Sequence, residues 1–150
     1  LVGSEMCIRD SILYVGSRHG YKNVNNLLIS FSKSKKLRDN IKIVFFGGGN
    51  FNNNEKALML KLNLNAKNCM QIDGNDNTLK SLYKNAEVFV YPSLYGGFGS
   101  SPLEAMSYGC PVASSNTSCL PEVQGDASNK FDPYENLVWG KKCFLYLLKM

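Results

Sequence analysis

The stretch EVFVYPSLYGGFGSSPLEAMSYGCPVASS (residues 87–115) holds two apolar runs separated by an amphipathic one, with glycines crowded at the first junction. EVFVYPS reads as a buried strand stopped by Pro92, which has no N–H to offer a ladder. PLEAMSYG reads as a helix closed by Gly109, and CPVASS as a second strand entered through Pro111. At the helix start, Ser101 fits an N-cap, Pro102 the first helical position and Glu104 the position that completes a capping box. A strand, one helix and a strand in this order predict parallel pairing through a right-handed crossover.

The same alternation continues upstream. ILYVG (12–16) reads as a buried strand. NVNNLLISFSKSKK (23–36) places Val24, Leu27, Leu28 and Phe31 on one helix face. IKIVFFGGG reads as a second strand, NEKALMLKLNL as a helix, NCMQID as a short strand and NTLKSLYKNA as another helix. Single helices between strands imply an α/β domain: a Rossmann-like open parallel sheet with helices on both faces. Such sheets bind ligands beyond the carboxyl ends of their strands. Those ends correspond here to the loops 16–22, 47–50, 73–78, 93–101 and 114–120.

Composition narrows the class. At 150 residues and 44% hydrophobic, the chain suits one domain with a substantial core. The net charge of +5 comes from scattered lysines, and KSKK (33–36) lacks interleaved aromatics, so a solvated helix face is expected and nucleic acid is not. Five cysteines include no C-x-x-C pair, which supports neither a disulfide framework nor zinc. No apolar run approaches the roughly 20 residues of a membrane span. LVGSEMCIRDS (1–11) lacks periodicity and resembles translated adapter read-through, so it is set aside as a non-native leader, leaving 12–150 as the domain.

Each loop admits competing readings. The bare amides around Gly97, Phe98 and Gly99 ahead of a helix start suit a diphosphate or sugar hydroxyls, or simply form a glycine-rich turn. Arg18 and Lys22, near another helix start, are either anion ligands or solvated charges. His19 has no partner in the sequence and is expected on the surface. FFGGGNF fails as a dinucleotide fingerprint because Asn52 stands where the third glycine belongs. DGNDNTLKSLYK fails as a calcium loop, with Thr78 and Lys84 at its two decisive positions. Glu104 is the only acid near the glycine-rich stretch, which leaves a two-carboxylate hydrolase unsupported.

With these residues in view, the chain resembles the C-terminal, donor-binding half of a GT-B glycosyltransferase, specifically the retaining family 4. LYVGSRHGYKN, GGGNF, LYKNAEVFVYPSLYGGFGSSPLEAMSYGCPVASSNTSCLPEVQGDAS and FDP stand in that family's order and spacing, over roughly Ile12 to Tyr134; 135–150 reads as a divergent or truncated end.

The resemblance implies a nucleotide-sugar donor, a glycan or lipid-linked acceptor held by an N-terminal domain outside this chain, and no metal or other cofactor. It assigns Arg18 and Lys22 to the diphosphate as the catalytic cations and Glu104 to the ribose. Gly16, Gly48, Gly96, Gly97, Phe98, Gly99 and Leu103 would face the donor, and the backbone at Ile72 and Asp73 the base. It further implies polysaccharide or lipopolysaccharide assembly and a cytoplasmic site, at the inner membrane face for a peripherally associated full-length protein. One position departs: Gly96 stands where the family's motif carries its first glutamate. A non-catalytic nucleotide-sugar-binding module is therefore the alternative, and the chain alone is expected to be inactive.

Overall fold

The structure, a computed structural model, describes residues 11–94, 100–115 and 129–131. β1 (Ser11–Val15) leads through a 3-10 turn (Gly20–Lys22) to α1 (Val24–Ser32), α2 (Lys35–Asn40) and β2 (Lys42–Phe46). Next come α3 (Asn53–Lys61), β3 (Cys69–Ile72), α4 (Asp76–Asn85), β4 (Val88–Tyr91), α5 (Ser100–Ser107), β5 (Val112–Ser115) and β6 (Asn129–Phe131). The strands form one parallel sheet in the order β3-β2-β1-β4-β5-β6.

Side chains alternate across this sheet, so β1 to β5 each feed two cores. Ile12, Tyr14, Ile43, Phe45, Val88 and Val90 pack under α1, α2 and α3 through Leu27, Leu28, Phe31, Leu37 and Met59. Leu13, Val44, Phe89 and Val112 face the other way, against Leu82 and Tyr83 of α4 and Ala105 of α5. Burial on both faces explains why the strands read as continuous apolar runs. Phe31 is 1% exposed, and its truncation to Ala would cost about 3–5 kcal/mol.

Four boundaries differ from the sequence expectation. The helix expected over 23–36 breaks at Ser34, whose Oγ accepts from Leu37 N at 3.2 Å and starts a new helix instead of continuing the old one. α5 begins at Ser100, so Ser101, the expected N-cap, already lies within the helix. Pro102 could not fix that boundary, because no amide of a first helical turn has an intrahelical acceptor to lose. β1 starts at Ser11, inside the stretch set aside as a leader; Ser11 is buried and pairs with Lys42. β6, three residues with little apolar character, was not anticipated.

β1 is flanked by β2 and β4, so the chain winds outward to β3 and then returns to the opposite side of β1. This reversal parts the loops after β1 and β4 and opens a crevice at the carboxyl edge. The crevice is pinned at its base. Asn23, in left-handed backbone at φ 65°, donates its side-chain amide to Pro92 O at 3.1 Å, and Leu94 N donates to Tyr21 O at 2.8 Å.

Candidate functional site

Arg18 follows β1, but its side chain turns toward the loop after β2. Nε donates to Glu55 Oε2 at 2.6 Å and Nη2 to Glu55 Oε1 at 3.3 Å, a two-pronged pairing. Nη1 donates to Gly47 O at 3.0 Å, and Nη2 also reaches Gly49 O at 2.8 Å and Asn50 O at 3.2 Å. The guanidinium lies 4.8 Å from the Phe51 ring centroid and 5.8 Å from that of Phe45. Its side chain is 4% exposed. A single Nη1 hydrogen is left without an acceptor among the described residues.

Glu55 was not among the expected site residues. It is the third residue of α3, where Asn52 Oδ1 accepts from Glu55 N at 2.8 Å and Glu55 Oε1 accepts from Asn52 N at 2.9 Å. This capping box is a local motif, legible in the sequence as Asn52-x-x-Glu55. Burial pushes the Glu55 carboxyl up, but the hydrogen bonds from Arg18 and Asn52, with the Arg18 charge, outweigh it and hold the group below the usual carboxylate range.

The other expected residues are distributed along the same edge. Gly16, at φ 109°, extends the β1–β2 ladder by donating to Phe46 O at 2.8 Å. Gly48, at φ 75°, lies so close to the β1 loop that a Cβ would sit 2.8 Å from Gly16 O. Lys22 ends the 3-10 turn, half-buried, with Nζ 5.2 Å from the Tyr21 ring centroid and no ion pair to a described residue. Ile72 is buried and its carbonyl accepts from Gly47 N at 3.1 Å, while the exposed Asp73 accepts from Gln71 Nε2 at 2.9 Å. Leu103 and Glu104 lie exposed on α5, across the switch point. Gly96, Gly97, Phe98 and Gly99 fall outside the described residues, as does 135–150.

The structure thus brings Gly16, Arg18 and Gly48 into direct contact and leaves Ile72 and Asp73 at the far strand. From β3 to β4 is three strand spacings, about 14 Å, a span suited to an extended ligand. A polar cleft of about 530 Å³ opens between the β1 and β2 loops, lined by Ser17, His19, Asn25, Asn50 and Asn54, with Arg18 and Glu55 also in its wall. The starts of α1 and α3 both border it. The described cysteines offer no nucleophile: Cys69 and Cys110 are buried, and burial pushes both thiols up to about 12. Among the described residues, no three His, Cys, Asp or Glu side chains group as metal ligands would, and no helix is long and apolar enough to cross a membrane.

Known proteins share this architecture. The catalytic domain of a cholesterol-α-glucosyltransferase from Helicobacter pylori superposes with a TM-score of 0.79 at 23% identity, covering 94% of this chain and 87% of that one. In sequence, the chain is 34% identical over 133 residues to an uncharacterised glycosyltransferase of Methanocaldococcus jannaschii, covering 86% of this chain and 34% of the relative. It is 30% identical over 129 residues to an O-antigen chain mannosyltransferase of Salmonella typhimurium, covering 85% of this chain and 35% of the relative. The chain spans about a third of the length of these two curated relatives. The family described as glycosyl transferases group 1 matches residues 9–136, and the chain belongs to it.

Proposed function

We propose that the chain is the donor-binding half of a retaining, family 4 glycosyltransferase that transfers a sugar from a nucleoside diphosphate to a glycan acceptor. The observation that carries this reading is the switch-point crevice, with the half-buried Lys22 on one side and Glu104 on the other. The names of relatives such as the Salmonella O-antigen enzyme favour mannose as the sugar and a surface polysaccharide as the product. The base would rest against the backbone at Ile72 and Asp73 and the ribose hydroxyls on Glu104.

Breaking the glycosidic bond leaves negative charge on the diphosphate. Lys22, with no ion pair to a described residue, is assigned to that charge. The amides at the start of α5 assist, because a helix N-terminus carries partial positive charge. A fixed donor of this kind contributes about 3 kcal/mol of barrier lowering. The residues assigned here need no metal. The acceptor would be held outside this chain, so the chain alone is expected to bind donor without transferring sugar. Gly96, standing where the family's motif has glutamate, favours a second reading as a binding module without catalysis.

Calorimetric titration with GDP, UDP and ADP tests the donor site. One nucleotide should bind, and Lys22→Ala and Glu104→Ala should each weaken it about tenfold, the equivalent of 1.4 kcal/mol. Absence of binding to folded wild-type chain would overturn the reading. In the protein that also holds the acceptor, sugar transfer separates the enzyme from the module.

A further inference from the structure

Arg18 was expected to meet a phosphate, yet its guanidinium is committed inside the protein. It collects the carbonyls of Gly47, Gly49 and Asn50, residues of the loop after β2, and is itself held by Glu55 from the first turn of α3. Three consecutive glycines at φ 80°, 75° and 75° let this loop wrap the cation. A side chain at the middle one would strike Arg18 Nη1 at 2.9 Å and Gly16 O at 2.8 Å. Phe45 and Phe51 cover the guanidinium, and Phe51 packs edge-on to Phe45 with centroids 5.5 Å apart. A carboxylate plus three carbonyls is a cation's coordination, and it engages all but one of the five N–H donors of Arg18.

We propose that Arg18 is a positioning residue: with Glu55 it forms an internal clasp that draws the Gly47–Asn50 loop onto the β1 loop and so fixes one wall of the donor crevice. The clasp itself follows from the geometry alone; its effect on nucleotide affinity rests on the donor-binding reading above. Arginine is required because its fork serves Glu55 and the carbonyls together, whereas a lysine ammonium is a compact point charge on a flexible stem. Glu55 is required twice over, as the partner of Arg18 and as the reciprocal member of the α3 capping box.

Two readouts on this chain test the proposal, with Arg18→Lys, Arg18→Ala, Glu55→Gln, Glu55→Ala and the double alanine variant. The first is amide hydrogen exchange, which needs no ligand. Arg18→Ala and Glu55→Ala should each speed exchange at 47–52 by about tenfold, the double variant should add little to either, and the lysine and glutamine variants should fall between. The second compares binding of guanosine, uridine and adenosine mono- and diphosphates. A wall-fixing role predicts that both alanine variants weaken mono- and diphosphate by the same factor. Unchanged exchange at 47–52 in Arg18→Ala would overturn the clasp. A loss confined to the diphosphate and absent from Glu55→Ala would overturn it too, by making Arg18 a phosphate ligand. If the wild type binds no nucleotide, the donor reading fails while the exchange data still decide the clasp. Should an alanine variant fail to fold, the lysine and glutamine variants carry both measurements.

Discussion

Replacing Gly48 by Ala introduces two separable penalties at one position. Its φ of 75° places an L side chain in left-handed backbone, which costs about 1–2 kcal/mol. The lower entropy of the unfolded alanine chain offsets about 0.4–1 kcal/mol of that. The second penalty is steric: the new Cβ would lie 2.8 Å from Gly16 O, 2.9 Å from Arg18 Nη1 and 3.4 Å from Ser17 Cα. Arg18 Nη1 ends a flexible side chain, but Gly16 O is backbone in a loop anchored by the Gly16 N–Phe46 O bond of 2.8 Å. Relief therefore requires the two loops to part, at about 1–3 kcal/mol. Gly49 is the matched control, because it shares the φ of 75° and has open space where a Cβ would go. Gly49→Ala should cost about 1 kcal/mol or less, and Gly48→Ala about 2–4 kcal/mol. Urea unfolding followed by circular dichroism measures both, and the same gap should appear as a difference of several degrees in Tm, at roughly 2–4 °C per kcal/mol for a chain of this size. If Gly48→Ala came within about 0.5 kcal/mol of Gly49→Ala, the close approach of the two loops would be refuted.

Glu55→Ala should destabilise the fold by about 3–5 kcal/mol, since it strands the buried Arg18 and opens the α3 cap; Glu55→Gln, which keeps the cap, should lose about 1.5–3 kcal/mol by the same urea assay. Because the Glu55 carboxyl is held below its ordinary range, its contribution should be complete above the unfolded carboxyl's pKa and disappear as pH falls through the depressed folded value. Urea midpoints of wild type and Glu55→Gln should therefore converge at the acid end, and a constant gap there would contradict the pairing. Ser34→Ala should cost about 1 kcal/mol and speed amide exchange in α2 more than in α1. Cys69 and Cys110, with thiols pushed up to about 12, should resist iodoacetamide at pH 8 until the chain unfolds; peptide mass spectrometry would reveal early labelling if either were reactive.

The sheet was legible because its signals are local. Ile12 to Val15 and Ile43 to Phe45 form unbroken apolar runs, and the α1 face repeats at helical spacing, so each element announces its own burial. Parallel pairing then follows from the helical connections between successive strands, whereas the strand order that sets the switch point does not. Less legible were features that depend on competition or distance. Ser34 could continue a helix or cap the next one, and only the bond to Leu37 N decides it. Arg18 and Glu55 are 37 positions apart, so their pairing is not a local signal. They meet because β1 and β2 are adjacent and parallel, so that their following loops leave the same edge side by side.

The glycines show why the site was harder to read than the fold. A run of glycines after a strand states that something approaches the backbone closely, but not from which side. At Gly48 the approach is internal: the bodies that a Cβ would strike are Gly16, Ser17 and Arg18, all from the neighbouring loop. The sequence clue that separates this case from a ligand site is charge pairing. GGGN is followed within a few residues by Glu55 at a capping position and is matched by an arginine after the preceding strand, so the loop has an internal cation to fold around. The run Gly96-Gly97-Phe98-Gly99 is followed by Glu104 at a like distance, but the loop after the preceding strand β3 holds no arginine, so the sequence supplies it with no internal cation of this kind.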